Sequence, residues 1–290
     1  MHASAVSPAP PAGLRAALKH RLRATLPLRV RMRLAVLAGR SRLPGAEWWS
    51  AELVRDLAER DLNAYHRFLW SNHLAYAATY EPEQRFGAER VHPSRRLLFA
   101  ELGRVLAERG VDPARDVRSV LEVGCSMGYL LRYAETHVFP AARVLDGVDI
   151  DGYAVERGRQ VLHRAGSRVH LSVGDATTID GRFSHPAYDV VLCAGVLMYL
   201  RPADAQAAVA AMLARTAGVL ALAGLAHPET DNAGLAASVP RERDRTLVHN
   251  LDQMVEDAGG RVVARRWEGA RQLSGNTIYF VFAERARGAA

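Results

Sequence analysis

The sequence contains little cysteine and no long apolar run. Its 290 residues include two cysteines, Cys125 and Cys193, which are too few for a disulfide framework. No apolar stretch approaches the roughly 18 residues that a membrane-spanning helix needs. The N-terminus has no compact apolar segment followed by a small-residue cleavage site, so we expect no secretory signal, although an Arg-rich, acid-free start also resembles an organellar transit peptide. Together these absences favour a globular protein of a reducing cytoplasm.

Acidic residues are absent from residues 1–46, which contain nine basic ones: Arg15, Lys19, Arg21, Arg23, Arg29, Arg31, Arg33, Arg40 and Arg42. The remaining 29 basic residues are outnumbered by 31 acidic ones, so the net charge of +7 belongs to this arm. The rest of the chain therefore has no general basic surface for nucleic acid. Residues 14–43 fit either a solvated basic helix packed on its own domain or a contact with an anionic lipid surface, nucleic acid or an acidic partner. A single lysine among 38 basic residues is typical of a GC-rich bacterial gene.

The pattern of residues predicts three regions along the chain. Residues 1–13 are rich in Ala, Pro and Ser, which predicts a disordered lead. Residues 14–110 are predicted to form the basic arm, divided by Pro27, and a helical cap with two aromatic-rich helices over 46–80 and a third from Ser94 to Gly110. Residues 111–290 alternate short apolar runs with helical segments, which predicts an α/β fold with a doubly wound, mostly parallel sheet. The predicted strands are Ser119–Val123, Arg143–Val148, Arg168–Leu171, Tyr188–Cys193, Gly218–Gly224, Arg261–Trp267 and Thr277–Ala283.

A glycine-containing loop follows the first predicted strand, with Glu122, Gly124, Cys125, Ser126 and Gly128 in this order. Its glycines allow a sharp turn from strand to helix and the close approach of a ligand. A dinucleotide fingerprint would place glycine where Ser126 stands and would bind a diphosphate, which the carboxylate of Glu122 would repel. The loop therefore favours a cationic, zwitterionic ligand.

Three further segments follow at the ends of later predicted strands. They are Asp149-Ile150 after the second, Asp175-Ala176 after the third, and Cys193 to Tyr199 after the fourth. With the loop, they resemble the class I S-adenosylmethionine-dependent methyltransferases over about residues 116–284. The resemblance implies a Rossmann-like seven-stranded sheet with an antiparallel last strand.

The resemblance also implies a cofactor, S-adenosyl-L-methionine, and its product S-adenosyl-L-homocysteine. It implies that Asp149 accepts the ribose hydroxyls, which suits a carboxylate with two acceptor oxygens. Asp151 competes for that role, but we expect it to cap the following helix. Asp175 and the N–H of Ala176 would bind the adenine edge. The segment from Cys193 would lie under the methionine part of the cofactor.

Methyl transfer also requires a positioned acceptor and the exclusion of water. If the acceptor is a hydroxyl, a base helps, and His227 in the loop after the fifth strand is our first candidate. A loop histidine bonded to the backbone fits the same position. Tyr199 and His249 are second candidates, and Asp231 and Asn232 are candidates for orienting a polar acceptor. The 11 histidines show no paired ligand spacing, so we expect no metal.

The predicted function is methylation of a small-molecule hydroxyl on a natural product, sugar or glycan by a monomer or homodimer, with residues 46–110 as a lid. An RNA or protein methyltransferase that uses the basic arm is an alternative, but the Asn/Asp-Pro-Pro-aromatic motif of base methylation is absent after the fourth strand. N-methylation of a small amine is another. A third alternative is a nucleotide-binding or regulatory protein that has the same fold but no enzymatic activity.

Overall fold

The chain divides into two compact units, Met1–Ala78 and Thr79–Ala290. The computed structural model describes residues 25–41, 46–74, 91–179, 183, 185–241, 245–268 and 278–286. The lead expected at residues 1–13 lies outside this set, as do Tyr76 and Tyr80 of the predicted cap. The observed division falls before the third predicted cap helix, whereas the sequence suggested a boundary at 110/111. The reason is that this helix packs on the sheet of the second unit.

The first unit is a small helical bundle. Its helices are α1 (Leu28–Arg40), α2 (Ala46–Leu53), α3 (Arg55–Arg60) and α4 (Leu62–Ser71). Helix α1 begins directly after Pro27, as expected of a residue with a fixed φ and no N–H. Phe68 packs with Ala35, Leu53, Val54 and Leu57 in a core of its own, so this aromatic residue is structural.

The second unit alternates strands and helices. Its strands are β1 (Ser119–Val123), β2 (Val144–Asp149), β3 (Val169–Val173), β4 (Tyr188–Ala194), β5 (Thr216–Leu225), β6 (Val239–Arg241), β7 (Thr246–Val248), β8 (Gly260–Trp267) and β9 (Ile278–Arg285). Its helices are α5 (Pro93–Ala107), α6 (Tyr129–Tyr133), α7 (Gly152–Arg164), α8 (Pro202–Ala214) and α9 (Leu251–Asp257). None of the helices that the structure describes is long and apolar enough to cross a membrane.

Seven of these strands form one sheet in the order β3-β2-β1-β4-β5-β9-β8. β9 runs antiparallel to both β5 and β8, while the other pairings are parallel. All seven predicted strands are present within a few residues of their expected ends, and the predicted fold is confirmed. The register pairs Val123 with both Val148 and Cys193, so the carboxyl ends of β1, β2 and β4 meet at one edge.

Helices cover both faces of this sheet. Leu98, Leu102 and Val105 of α5 pack with α6 and α7 on one face. Val209 and Met212 of α8 pack with α9 on the other. Burial of apolar side chains on both faces is the main source of stability for such a layered fold.

Glu135 fixes the segment that follows the glycine loop and α6. Its carboxylate accepts hydrogen bonds from Arg132 at 2.6 Å, the Ser167 hydroxyl at 2.6 Å and the Arg168 N–H at 2.8 Å. Burial raises the pKa of Glu135, but these hydrogen bonds outweigh it and hold the pKa at about 2. The loop is thereby attached through α6 to the start of β3.

Candidate functional site

The loop after β1 has the backbone of a tight strand-to-helix turn. Gly124, Ser126 and Gly128 have φ values of 82°, 52° and 78°. The N–H groups of Gly124 and Cys125 donate to the carbonyl of Val148 at 2.7 and 3.1 Å. The left-handed conformations and the bonds to β2 together determine the path of the loop along the carboxyl edge of the sheet.

Asp149, the last residue of β2, holds the same loop. Its Oδ2 accepts a hydrogen bond from the Ser126 N–H at 2.7 Å, and its Oδ1 accepts one from the Asp151 N–H at 2.9 Å. Burial raises the pKa of Asp149 to about 6, against the effect of these hydrogen bonds. Each carboxylate oxygen has a second acceptor position for a ligand hydroxyl. Asp151 accepts from the Ala154 N–H at 3.0 Å, so it caps α7 as the sequence predicted.

Glu122 lies in β1 beside the loop and is 2% exposed. Burial raises the pKa of its carboxyl to about 8, while the positive charge of Arg95 opposes the rise and the negative charge of Asp149 adds to it. The carboxyl of Glu122 therefore keeps its proton to a higher pH than an exposed glutamate does. A cation placed beside Glu122 would favour loss of that proton.

Arg95 reaches the same edge from the first turn of α5. Its Nη2 donates to the carbonyl of Ala194, the last residue of β4, at 3.3 Å. Among the described residues, two buried side-chain atoms have no hydrogen-bond partner, Nη1 of Arg95 and Oε2 of Glu122. Buried polar atoms are normally paired, because leaving one unpaired costs about 1–3 kcal/mol. Both atoms lie at one edge of the sheet, one on a guanidinium group and one on a carboxyl group.

The segment after β4 covers the loop. Val196 Cγ2 lies 2.0 Å from the position that a Cβ would take on Gly124, so glycine is required there for space as well as for φ. Tyr199 ends a 3-10 turn, Leu197–Tyr199, and is half-buried. The thiols of Cys125 and Cys193 are buried in the apolar cores on opposite faces of the sheet. Contact of either cysteine with a ligand is therefore limited to its main chain.

Asp175 begins the 3-10 turn Ala176–Thr178 after β3. Its Oδ1 accepts from the N–H of Thr177 at 2.9 Å and from the Thr177 hydroxyl at 2.7 Å. These bonds fix its carboxylate at the edge next to β2. Ile150 and Ala176 are half-buried at the same edge, so the predicted adenosine contacts lie on adjacent strand ends.

His227 does not have the geometry of a general base. Its Nδ1 accepts hydrogen bonds from the backbone N–H groups of Glu229 at 3.2 Å and Thr230 at 3.0 Å. A neutral imidazole with an acceptor at Nδ1 has its proton on Nε2 and no further lone pair for an incoming proton. The backbone-bonded alternative describes this histidine, and we assign it no base role.

His249 and Asn232 also have structural roles. His249 is buried, with Nε2 at 2.9 Å from the carbonyl of Leu197 and Nδ1 at 2.7 Å from the Ser238 hydroxyl. Burial lowers its pKa, which favours the neutral form. The Asn232 amide joins the carbonyls of Leu225 and His249 and accepts from the His227 N–H. These contacts correct the expected roles of both residues, because the polar atoms predicted to meet a substrate hold the loops after β5 and β7 together.

Asp231 likewise caps a 3-10 turn, since its Oδ1 accepts from the Ala233 N–H at 3.1 Å. Glu122, Asp149 and Asp175 are thus brought to one edge, whereas His227, His249 and Asn232 belong to a hydrogen-bonded support. Sequence reasoning missed Arg95, since nothing in the local sequence distinguishes it from Arg96. No group of three His, Cys, Asp or Glu residues in the described part of the chain could hold a metal ion.

Comparison with known proteins shows which domain this part of the chain is similar to. Residues 120–217, which run from β1 to the start of β5, match the family model of a methyltransferase domain. The match identifies a methyltransferase domain in this part of the chain, in agreement with the resemblance to the class I S-adenosylmethionine-dependent methyltransferases. The predicted family, enzyme class and cofactor are confirmed. No curated protein matches the sequence of this methyltransferase.

Solved structures share the fold at low sequence identity. The magnesium protoporphyrin IX methyltransferase of Synechocystis, with bound S-adenosylhomocysteine, is 17% identical with a TM-score of 0.53, covering 78% of this chain and 100% of that chain. A 1,6-didemethyltoxoflavin-N1-methyltransferase of Burkholderia thailandensis is 16% identical with a TM-score of 0.51, covering 80% and 90%. The cyclase SpnF is 15% identical with a TM-score of 0.53, covering 67% and 82%. Because a cyclase shares the fold, the acceptor must be argued from the site.

Replacing Gly124 by alanine should destabilise the protein more than the same change at Gly110. Both glycines have positive φ, but a Cβ at Gly110 would meet nothing within 4 Å, whereas at Gly124 it would meet Val196. Backbone strain of an alanine at positive φ costs about 1–2 kcal/mol. Gly110→Ala measures this strain without a steric clash. Chemical denaturation should show a larger loss for Gly124→Ala, partly recovered by adding Val196→Ala. Equal losses for the two single variants would contradict this packing.

Replacing Glu122 by glutamine should stabilise the unliganded protein increasingly as pH rises. The folded pKa of about 8 lies above the ordinary 4.5, so the folded state keeps a proton that the unfolded chain releases in this window. The wild type therefore loses stability relative to the variant, by about 1 kcal/mol per pH unit. The unfolding free energies of the wild type and of Glu122→Gln, measured from pH 5 to 8, should therefore move further apart as pH rises.

The matched control is Glu156→Gln, which removes an exposed carboxylate on α7. Its stability should follow that of the wild type at every pH. If the Glu122→Gln curve also runs parallel to the wild type, Glu122 is ionised in the folded protein and the account of its burial is wrong.

Proposed function

We propose that this methyltransferase transfers a methyl group from S-adenosylmethionine to an oxygen of a small-molecule acceptor. The observation that carries the proposal is the pair of unpartnered buried atoms, Arg95 Nη1 and Glu122 Oε2. The amino-acid tail of S-adenosylmethionine has a carboxylate and an ammonium group, which complement these two side chains. The residues present thus fit the cofactor of the family.

Each part of the cofactor has a proposed group of residues at the carboxyl edge of the sheet. Arg95 holds the carboxylate, and Glu122 holds the ammonium group as the ionised carboxylate. Asp149 accepts the ribose hydroxyls with the acceptor positions that its two backbone bonds leave open. The adenine lies beside Asp175 and Ala176, with Ile150 against it. The main chain of the loop, Gly124, Cys125, Ser126 and Gly128, and that of Cys193 allow the ligand to come close.

When bound, S-adenosylmethionine supplies a methyl group on a sulfonium, which reacts by in-line displacement. The chain has to orient the acceptor and exclude water from it. Val196 and Tyr199, which follow β4 at this edge, are proposed to lie at the methyl end. Tyr199 is a positioning candidate through its ring or its hydroxyl, because it stands in the turn that the buried His249 fixes.

The hydrogen bonds of His227 and His249 limit which kinds of acceptor group the site could methylate. Neither has a lone pair open to a substrate proton. An acceptor that ionises by itself needs no such base, and phenols, enols and carboxylic acids are hydroxyls of this kind. We therefore propose an acidic hydroxyl as the acceptor. An amine that loses its proton before attack meets the same condition and is the second candidate.

A small molecule is favoured over a nucleic acid by charge. Residues 47–290 contain 29 basic and 31 acidic residues, which gives no general attraction for phosphate. Two of the solved structures with this fold are named for methyltransferases of magnesium protoporphyrin IX and 1,6-didemethyltoxoflavin, both small molecules. These names support the proposed class of acceptor.

Incubating the purified protein with cell extract and methyl-labelled S-adenosylmethionine tests the acceptor. We expect label in a small molecule that resists nuclease and protease, and mass spectrometry of the product should place the methyl group on oxygen. The Glu122→Gln and Arg95→Met variants serve as controls, since product labelled by background enzymes would persist with them. Label in RNA or protein would overturn the small-molecule proposal, and a methyl group on nitrogen would overturn the hydroxyl.

A further inference from the structure

Helix α1 of the first unit presents an apolar stripe to solvent. Val30, Leu34 and Leu37 are 40%, 39% and 67% exposed. Their spacing of four and three residues places them on one face of the helix. Single exposed apolar residues are common, but three in line on one helix form a continuous apolar surface.

The opposite face of α1 is fixed in the helical bundle, which determines the direction of the stripe. Arg31 is buried and forms a bidentate pair with Asp56, at 2.6 and 2.7 Å, and it also donates to the carbonyl of Leu53 at 3.2 Å. Ala35 is fully buried beside this pair. Since a bidentate pair fixes the rotation of the helix, Leu34 and Leu37 are held on the outside.

Basic residues flank the stripe. Arg29 and Arg33 are exposed, and neither forms an ion pair with any carboxylate in the part of the chain that the structure describes. The surrounding sequence is positively charged, because residues 1–46 contain nine basic residues and no acidic one. Among Arg29, Arg31 and Arg33, whose side chains the structure describes, Arg31 pairs with a buried carboxylate.

We infer that α1 is a docking surface for an anionic lipid membrane. The helix lies in the plane of the surface, with Val30, Leu34 and Leu37 inserted among the lipids and Arg29 and Arg33 at the level of the anionic headgroups. Charge complementarity selects the partner, and the apolar stripe distinguishes it from a nucleic acid. Phosphate backbones attract arginine but offer no apolar layer for exposed leucines.

Vesicle flotation with the full-length protein tests this surface. The wild type should float with vesicles of phosphatidylcholine and phosphatidylglycerol in equal parts, and should not float with phosphatidylcholine alone. Leu34→Glu/Leu37→Glu should reduce the bound fraction at least fivefold. The matched control is Ala207→Glu/Ala214→Glu on exposed positions of α8, which adds the same charge and should keep binding. Leu37→Gln, which changes no charge, should also weaken binding.

Several results would overturn the inference. The first is a wild type that does not bind anionic vesicles. The second is equal loss of binding in the leucine and alanine variants, which would mean that net charge alone acts. The third is tighter binding to homopolymeric RNA than to vesicles, unchanged by Leu37→Gln. If circular dichroism shows that the double leucine variant is unfolded, Leu37→Gln alone decides. Binding of S-adenosylhomocysteine, measured on the same samples, keeps this test separate from that of the proposed function.

Discussion

The site depends on two ionisable side chains, each of which has one buried polar atom without a hydrogen-bond partner. Glu122 in β1 and Arg95 in α5 lie at the carboxyl edge of the sheet, and each has one buried atom without a partner. Such groups cost free energy in the unliganded protein, which the large apolar cores on both faces offset. Burial raises the pKa of Glu122 to about 8, so its charge is available mainly when a cation lies beside it. In the proposed function, these two groups account for the preference for a zwitterionic ligand.

The backbone at this edge is arranged to hold those groups still. Gly124 turns the chain at a φ of 82° under Val196, and Asp149 accepts the N–H of Ser126 from the far side of the loop. Glu135 fixes the segment after α6 to β3. Because regular strands and a short turn carry most of the proposed cofactor residues, the register of the sheet positions them.

The sequence predicts those features of the fold that depend on neighbouring residues along the chain. The seven strands of the large sheet were predictable because each is a compact apolar run between turn residues, and Asp151 was predictable as a cap because helix caps are local. The hairpin of β6 and β7 was not predicted, since each strand has three residues and little pattern. Arg95 was missed because its proposed role depends on how α5 packs against β4, and the residue it contacts there is 99 positions further along the chain. His227 and His249 were assigned by chemical type alone, whereas tautomer and hydrogen-bond partners decide what a histidine can do. The lid role of residues 46–110 stays a prediction.

Calorimetry of cofactor-product binding tests the central claim most directly. S-adenosylhomocysteine has the amino-acid tail, whereas methylthioadenosine has the same nucleoside without it. Arg95→Met should weaken binding of S-adenosylhomocysteine about tenfold or more, as expected for a charged hydrogen bond, and should leave methylthioadenosine almost unchanged. Arg96→Met, on the next residue of the same helix, should leave both affinities unchanged. Absence of binding to S-adenosylhomocysteine by the wild type, or equal weakening of both ligands by Arg95→Met, would contradict the account.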